Sequence, residues 1–137
     1  MPHDITGEPH WHEPNGNTYA GTAAWNRRAT PYDRFMAAQD VPIIRDIAIP
    51  NLQNVALGNW PDMGGRRAFI QLFGTEGLWG SYLVEVPGAG ALNAERHLYE
   101  EIFLVLEGRG TTEIWATDGD PPEIFEWERG SLFSIPL

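Results

Sequence analysis

The sequence predicts an all-β fold built from antiparallel strands. From Val41 onward, short segments rich in β-branched and aromatic residues alternate with breaks that contain Gly or Pro. These breaks recur about every ten residues, as they do in antiparallel sandwiches and barrels. The chain has 137 residues, of which 42% are hydrophobic, so it can build the core of one small domain.

Two elements are expected before the main strands. Residues 1–29 are rich in Pro, Gly, Asn, Thr and His without a sustained period, which predicts an irregular N-terminal arm. The segment "TPYDRFMAAQD" then predicts one short helix, with Thr30 as the N-cap, Pro31 at the first helical position and Asp33 in the first turn. The apolar side chains of this helix form one stripe: Tyr32, Phe35 and Met36.

The remaining segments predict short strands. Residues 30–66 combine the helix with short extended segments, whereas the stronger strands lie in residues 67–137. One of them, "EEIFLVLEG" (100–108), is nearly continuously apolar, which predicts a strand that is buried on both faces. The other strong segments are "RAFIQLF" (67–73), "WGSYLVEV" (79–86), "TTEIWAT" (111–117), "EIFEWE" (123–128) and "SLFSIPL" (131–137).

Charge and composition exclude several classes of function. The 9 basic and 19 acidic residues give a net charge of -10, which argues against nucleic acid and anionic membranes as partners because both attract positive surfaces. The chain has no cysteine, so disulfides, thiolate metal sites and a cysteine nucleophile are excluded. The first residues do not resemble a signal peptide, and no apolar run approaches the roughly 20 residues of a membrane helix. We therefore expect a cytoplasmic protein.

The heptapeptide "ERHLYEE" holds the strongest candidate site. His97 is the only histidine after residue 12, and it stands among three glutamates. On an extended strand Glu95, His97 and Glu101 would share one face, because successive side chains alternate. Carboxylate and imidazole groups together suit Mn, Fe, Ni, Co or Zn. The alternative is a solvated strand edge with charged side chains and no metal.

The surrounding residues resemble the first signature of the cupin superfamily, G-x5-H-x-H-x3,4-E-x6-G. Counting back from Gly108, Glu101 stands at the glutamate ligand and His97 at the second histidine. Glu95 stands where the family has its first histidine, and Ala89 where it has the leading glycine. The second signature begins G-x5-P, which "GSLFSIP" (130–136) matches.

This resemblance implies a cupin jelly-roll barrel that is incomplete within the chain. It covers residues 67–137, and the family's fourth ligand, a histidine, would follow Pro136 by a few residues, beyond Leu137. The chain is thus expected to be the N-terminal part of a larger cupin protein. The wider sequence pattern also resembles that of cupin proteins with two cupin domains. The rest of the barrel would lie on a continuing or separate chain, and the unpaired strand edges favour a homo-oligomer.

The resemblance also implies a function: a metal-dependent enzyme that acts on a small organic substrate, of dioxygenase, decarboxylase or isomerase type. His97 and Glu101 would be metal ligands, and Glu95 either a further ligand or a catalytic acid/base. The extra carboxylate favours a hard ion, so Mn or Fe is expected before Zn or Ni. Phe103 would line the substrate pocket. The alternative is a non-catalytic cupin that binds or senses a small ligand, or serves structural assembly.

Overall fold

The structure is a computed structural model that describes residues 29–75 and 77–136. These residues form mostly β-strands and one short α-helix, so the all-β prediction is confirmed at this level. The described strands form three separate sheets and no closed barrel. Apart from Ala29, the predicted N-terminal arm lies outside the described residues. No helix in the described part of the chain is long and apolar enough to cross a membrane.

The chain divides into two compact units between Ala94 and Glu95. The first unit contains helix α1 (Pro31–Ala38), a 3₁₀ turn (Leu52–Asn54) and the strands β1 (Ile43–Asp46), β2 (Gly58–Trp60), β3 (Gly65–Leu72) and β4 (Ser81–Glu85). The second unit contains β5 (Glu101–Leu104), β6 (Arg109–Ile114), β7 (Glu123–Glu128) and β8 (Leu132–Ile135).

Helix α1 begins as its sequence predicts. The Thr30 hydroxyl accepts a hydrogen bond from the Asp33 backbone N–H, and the Asp33 carboxylate accepts one from the Thr30 backbone N–H. This reciprocal capping box satisfies two backbone donors at the helix start. Pro31 occupies the first helical position, where its missing N–H has no cost.

Strand β3 is the centre of the first unit, because three strands pair with it. Strand β4 pairs antiparallel along Arg66–Ile70, and β2 pairs antiparallel with the first three residues of β3. Strand β1 pairs with the last four residues of β3, and this pairing is parallel. The sheet is therefore mixed rather than purely antiparallel as predicted.

The core of the first unit lies between α1 and one face of this sheet. The Phe69 ring is fully buried and makes edge contacts with Tyr32 and Phe35 of the helix, at centroid distances of 6.1 and 5.9 Å. The predicted apolar stripe of α1 thus faces the sheet. The buried cluster consists of Met36, Val41, Trp60, Met63 and Phe69.

The second unit consists of two antiparallel ribbons, β5–β8 and β6–β7. Their side chains alternate between a half-buried inner face and an exposed outer face. The inner faces meet where the Phe125 ring packs edge-on against Phe133, with centroids 4.8 Å apart. Strand β5 is not buried on both faces as predicted, because Ile102 and Leu104 are 76% and 59% exposed.

Candidate metal centre

A bend in the chain brings His97 and Glu101 together. Glu101 is the first residue of β5, and the bend lies just before it at Leu98 and Tyr99. The Nε2 atom of His97 is 3.2 Å from Oε2 of Glu101, and the two side chains are only 11% and 8% exposed. On a straight strand two residues four positions apart would be separated by roughly 13 Å. The bend therefore brings His97 and Glu101 into contact, which a shared face of a straight strand would not do.

The hydrogen bond of the second ring nitrogen of His97 determines which nitrogen carries the hydrogen and which one faces Glu101. Nδ1 lies 2.7 Å from the backbone oxygen of Tyr99, and a carbonyl oxygen can only accept, so Nδ1 carries the hydrogen. In the neutral imidazole Nε2 then keeps its lone pair, which faces the Glu101 carboxylate. Two electron-pair donors this close require a proton or a cation between them. Metal-binding histidines are commonly held in this way by a backbone carbonyl.

The spacing of the two donor atoms fits a divalent metal. With bonds of about 2.1 Å, ligand atoms lie about 3.0 Å apart at a right angle and about 3.4 Å apart at a tetrahedral angle. The observed separation of 3.2 Å falls between these values. An imidazole nitrogen and a carboxylate oxygen are donors that Mn, Fe, Zn and Ni all accept.

No third candidate ligand is placed with this pair within the described residues. Across residues 29–75 and 77–136 no group of three or more His, Cys, Asp or Glu side chains is placed to hold a metal ion. Glu95 is exposed in the segment before the bend. Its role as a further ligand or as an acid/base group therefore stays a prediction, whereas His97 and Glu101 do lie together.

Phe103 lies on the same inner face as Glu101, two residues further along β5. It is half-buried, and its ring stacks on Phe133 of β8 with centroids 5.1 Å apart. The cross-strand pairing of these two residues puts them directly opposite each other. An apolar surface therefore begins beside the carboxylate, and the role of Phe103 in a substrate pocket stays a prediction.

Arg96 and Tyr99 also shape the site, and the sequence interpretation did not include them. Nη2 of Arg96 forms an exposed ion pair with Oδ1 of Asp118 at 2.7 Å, which connects the segment before the bend to the β6–β7 turn. The Tyr99 ring stacks on the imidazole of His97. No local pattern in the sequence predicts this stack, because it depends on the bend at Leu98 and Tyr99.

No protein-family model, curated protein or solved structure significantly matches the chain. The chemistry that the His97–Glu101 pair can support therefore follows from its donor atoms and their spacing.

Proposed function

We propose that this chain is part of a metal-dependent cupin enzyme that acts on a small organic substrate. The observation that carries the proposal is the 3.2 Å approach of His97 Nε2 to Glu101 Oε2 in a pair of side chains that are almost completely enclosed. His97 and Glu101 hold a divalent ion, with Mn or Fe preferred over Zn or Ni. A solvated strand edge would instead leave both side chains pointing into water.

Backbone conformation supports the cupin assignment. The three positions that correspond to glycines of the cupin signatures are Ala89, Gly108 and Gly130, and their φ angles are 57°, 85° and 88°. Positive φ is the property for which glycine is preferred. We propose that the two ribbons of the second unit belong to a jelly-roll barrel, completed by strands on a continuing or separate chain. The protein would be a cytoplasmic homo-oligomer.

Each residue of the site then has a defined task. A bound divalent ion supplies Lewis acidity toward a substrate oxygen. His97 and Glu101 retain the ion, and Glu95 adds a third ligand or carries a proton to or from the substrate. Phe103 keeps water away from one side of the site. Oxygenase, decarboxylase and isomerase reactions are all compatible with these residue roles. The fold alone does not determine which of these reactions the protein catalyses.

Metal binding by the purified chain tests the proposal. We expect one Mn(II) or Zn(II) ion to bind per chain in isothermal titration calorimetry. His97→Ala and Glu101→Ala should each weaken binding by at least about 100-fold, since each removes a proposed metal ligand. Glu100→Ala is the matched control, because Glu100 is an exposed carboxylate immediately before Glu101 and should leave the affinity unchanged.

Two results would contradict the proposal: a wild-type chain that binds no divalent ion, or His97→Ala and Glu101→Ala variants that bind as tightly as the wild type. Glu95→Gln separates the two roles of Glu95. A ligand role predicts weaker metal binding, whereas a proton-carrier role predicts unchanged binding. A chain that binds a small organic ligand but no metal would instead favour the non-catalytic cupin.

A further inference from the structure

Tyr99 touches His97 in two independent ways. Its backbone carbonyl oxygen lies 2.7 Å from Nδ1 of His97. Its ring lies parallel to the imidazole, with centroids 4.3 Å apart and an interplanar angle of 17°. One residue therefore determines both which nitrogen carries the hydrogen and the plane in which the ring lies.

The two contacts are made at different parts of His97, and together they determine how its Nε2 atom is presented. The carbonyl places the hydrogen on Nδ1, so the lone pair of the neutral ring is on Nε2. The stacked ring restricts rotation of the imidazole about its Cβ–Cγ bond, which is otherwise a broad torsion. Nε2 is consequently held facing Oε2 of Glu101 at 3.2 Å. Neither contact alone sets both the position and the protonation of Nε2.

We propose that Tyr99 is a positioning residue that presents Nε2 of His97 to a divalent metal ion. The inference rests on the proposed metal-binding function and deepens it. Tyr99 itself stays half exposed, at 50%, while it helps to enclose a His97 side chain that is 11% exposed. The aromatic ring is thus placed at the surface side of the site, where a small apolar residue would leave the imidazole open to water.

The positioning role belongs to the aromatic ring and backbone carbonyl of Tyr99, and its hydroxyl group is not required. Tyr99→Leu removes the stack but keeps the backbone carbonyl, whereas Tyr99→Phe keeps both. We expect Tyr99→Leu to weaken Mn(II) or Zn(II) binding by about tenfold or more, in the range typical of residues that orient a metal ligand. Tyr99→Phe should restore the wild-type affinity. Leu98→Ala is the control within the same bend, since Leu98 is 88% exposed.

A second measurement needs no metal. Long-range ¹H–¹⁵N correlation spectra of the metal-free chain, recorded at alkaline pH where an ordinary imidazole is neutral, report the tautomer of each histidine, and the His97→Gln variant assigns the His97 signals. We expect the Nδ1–H tautomer, with the ring protons shifted upfield by the stacked Tyr99 ring. This upfield shift should disappear in Tyr99→Leu and persist in Tyr99→Phe.

The two measurements separate this inference from the proposed function. If the wild-type chain binds no metal, the metal-dependent function fails, and with it the role of Tyr99 in metal binding. If the chain binds metal but Tyr99→Leu binds equally well with unchanged His97 signals, the positioning role fails alone. An Nε2–H tautomer in the wild type would also overturn the inference, because Nδ1 would not then donate to the carbonyl.

Discussion

Ala89 adopts a backbone conformation that suits glycine better than alanine. Its φ angle of 57° lies in the left-handed region, which costs a residue with a Cβ roughly 1–2 kcal/mol. Ala89 is the third residue of a turn that is closed by a 2.9 Å hydrogen bond from the Gly90 N–H to the Pro87 carbonyl. That position of a turn favours glycine when φ is positive. The turn therefore stores strain at the position where the cupin signature has glycine.

Replacing this alanine should stabilise the protein. Ala89→Gly is expected to raise the free energy of unfolding by about 0.5–1 kcal/mol, since relief of the left-handed strain exceeds the extra chain entropy of glycine. Urea unfolding followed by circular dichroism measures the change. Ala91→Gly is the control in the same loop, where φ is not positive, and it should lower stability. A loss of stability in Ala89→Gly would show that the turn is not strained.

Arg67 shows that a charged side chain can belong to the core of the first unit. It is 3% exposed, and its guanidinium carbon lies 4.0–4.3 Å from the ring centroids of Tyr82, Phe69 and Trp60. Aromatic ring faces attract a cation by about 2 kcal/mol or more when water is excluded. This attraction offsets part of the cost of desolvating the charge. Two adjacent arginines ordinarily suggest a solvated turn, yet only Arg66 of this pair is exposed.

Helix α1 depends on its N-terminal cap, because eight residues are too few for a helix to be stable alone. Isolated helices need about 12–15 residues to persist in water, and α1 spans Pro31–Ala38. Helix α1 is therefore stabilised by the cap that Thr30 and Asp33 form and by its contacts with Phe69. The cap involves residues three positions apart and can be predicted from the sequence, whereas the packing of the helix against Phe69 cannot.

Thr30→Ala is expected to lower the free energy of unfolding by about 0.5–2 kcal/mol. The substitution removes the hydroxyl that accepts from the Asp33 N–H at 3.1 Å. Thr30→Ser keeps a hydroxyl at the same position and should stay within a few tenths of a kcal/mol of the wild type. Urea unfolding of the three proteins tests this. An equal loss in both variants would mean that the Thr30 methyl group, rather than the cap, stabilises the helix.

The outer face of the β5–β8 ribbon differs in charge from that of strand β7. Along β7 the outward residues include Glu126 and Glu128, so like charges oppose the approach of a second acidic chain. The outer face of the β5–β8 ribbon carries no charged side chain. It presents four neutral residues, three of them large and apolar: Ile102, Leu104, Leu132 and Ser134. The apolar segment 100–108 therefore forms a strand with one exposed apolar face, rather than a strand that is buried on both faces.

The two units differ in how completely they bury their side chains. Every described residue that is buried as a whole, backbone and side chain together, lies in the first unit, between Met36 and Gln71. In the described part of the second unit, residues 95–136, the inner-face aromatic rings are only half-buried. Since burial of apolar area is the main source of stability, the second unit has more to gain from association. This supports the proposed homo-oligomer.

We expect copies of the chain to associate through the outer face of the β5–β8 ribbon. The double variant Ile102→Lys/Leu104→Lys should raise the dissociation constant by at least about tenfold, because it places charges in an apolar contact. Sedimentation velocity at several protein concentrations measures this constant. Ile47→Lys is the control, since Ile47 is a similarly exposed apolar residue, at 73%, in the first unit. A monomeric wild type at every concentration would contradict the expectation.

Local sequence signals were enough to predict the helix and most strands, and to single out His97 and Glu101 as a pair. The capping residues of α1 and the four-residue spacing of His97 and Glu101 both depend on near neighbours in the chain. Contacts between distant residues decided the rest. The parallel pairing of β1 with β3 and the enclosure of Arg67 depend on packing between segments that no local pattern specifies. Likewise, the bend before β5, rather than strand parity, placed Tyr99 on the imidazole and brought Nε2 to the carboxylate.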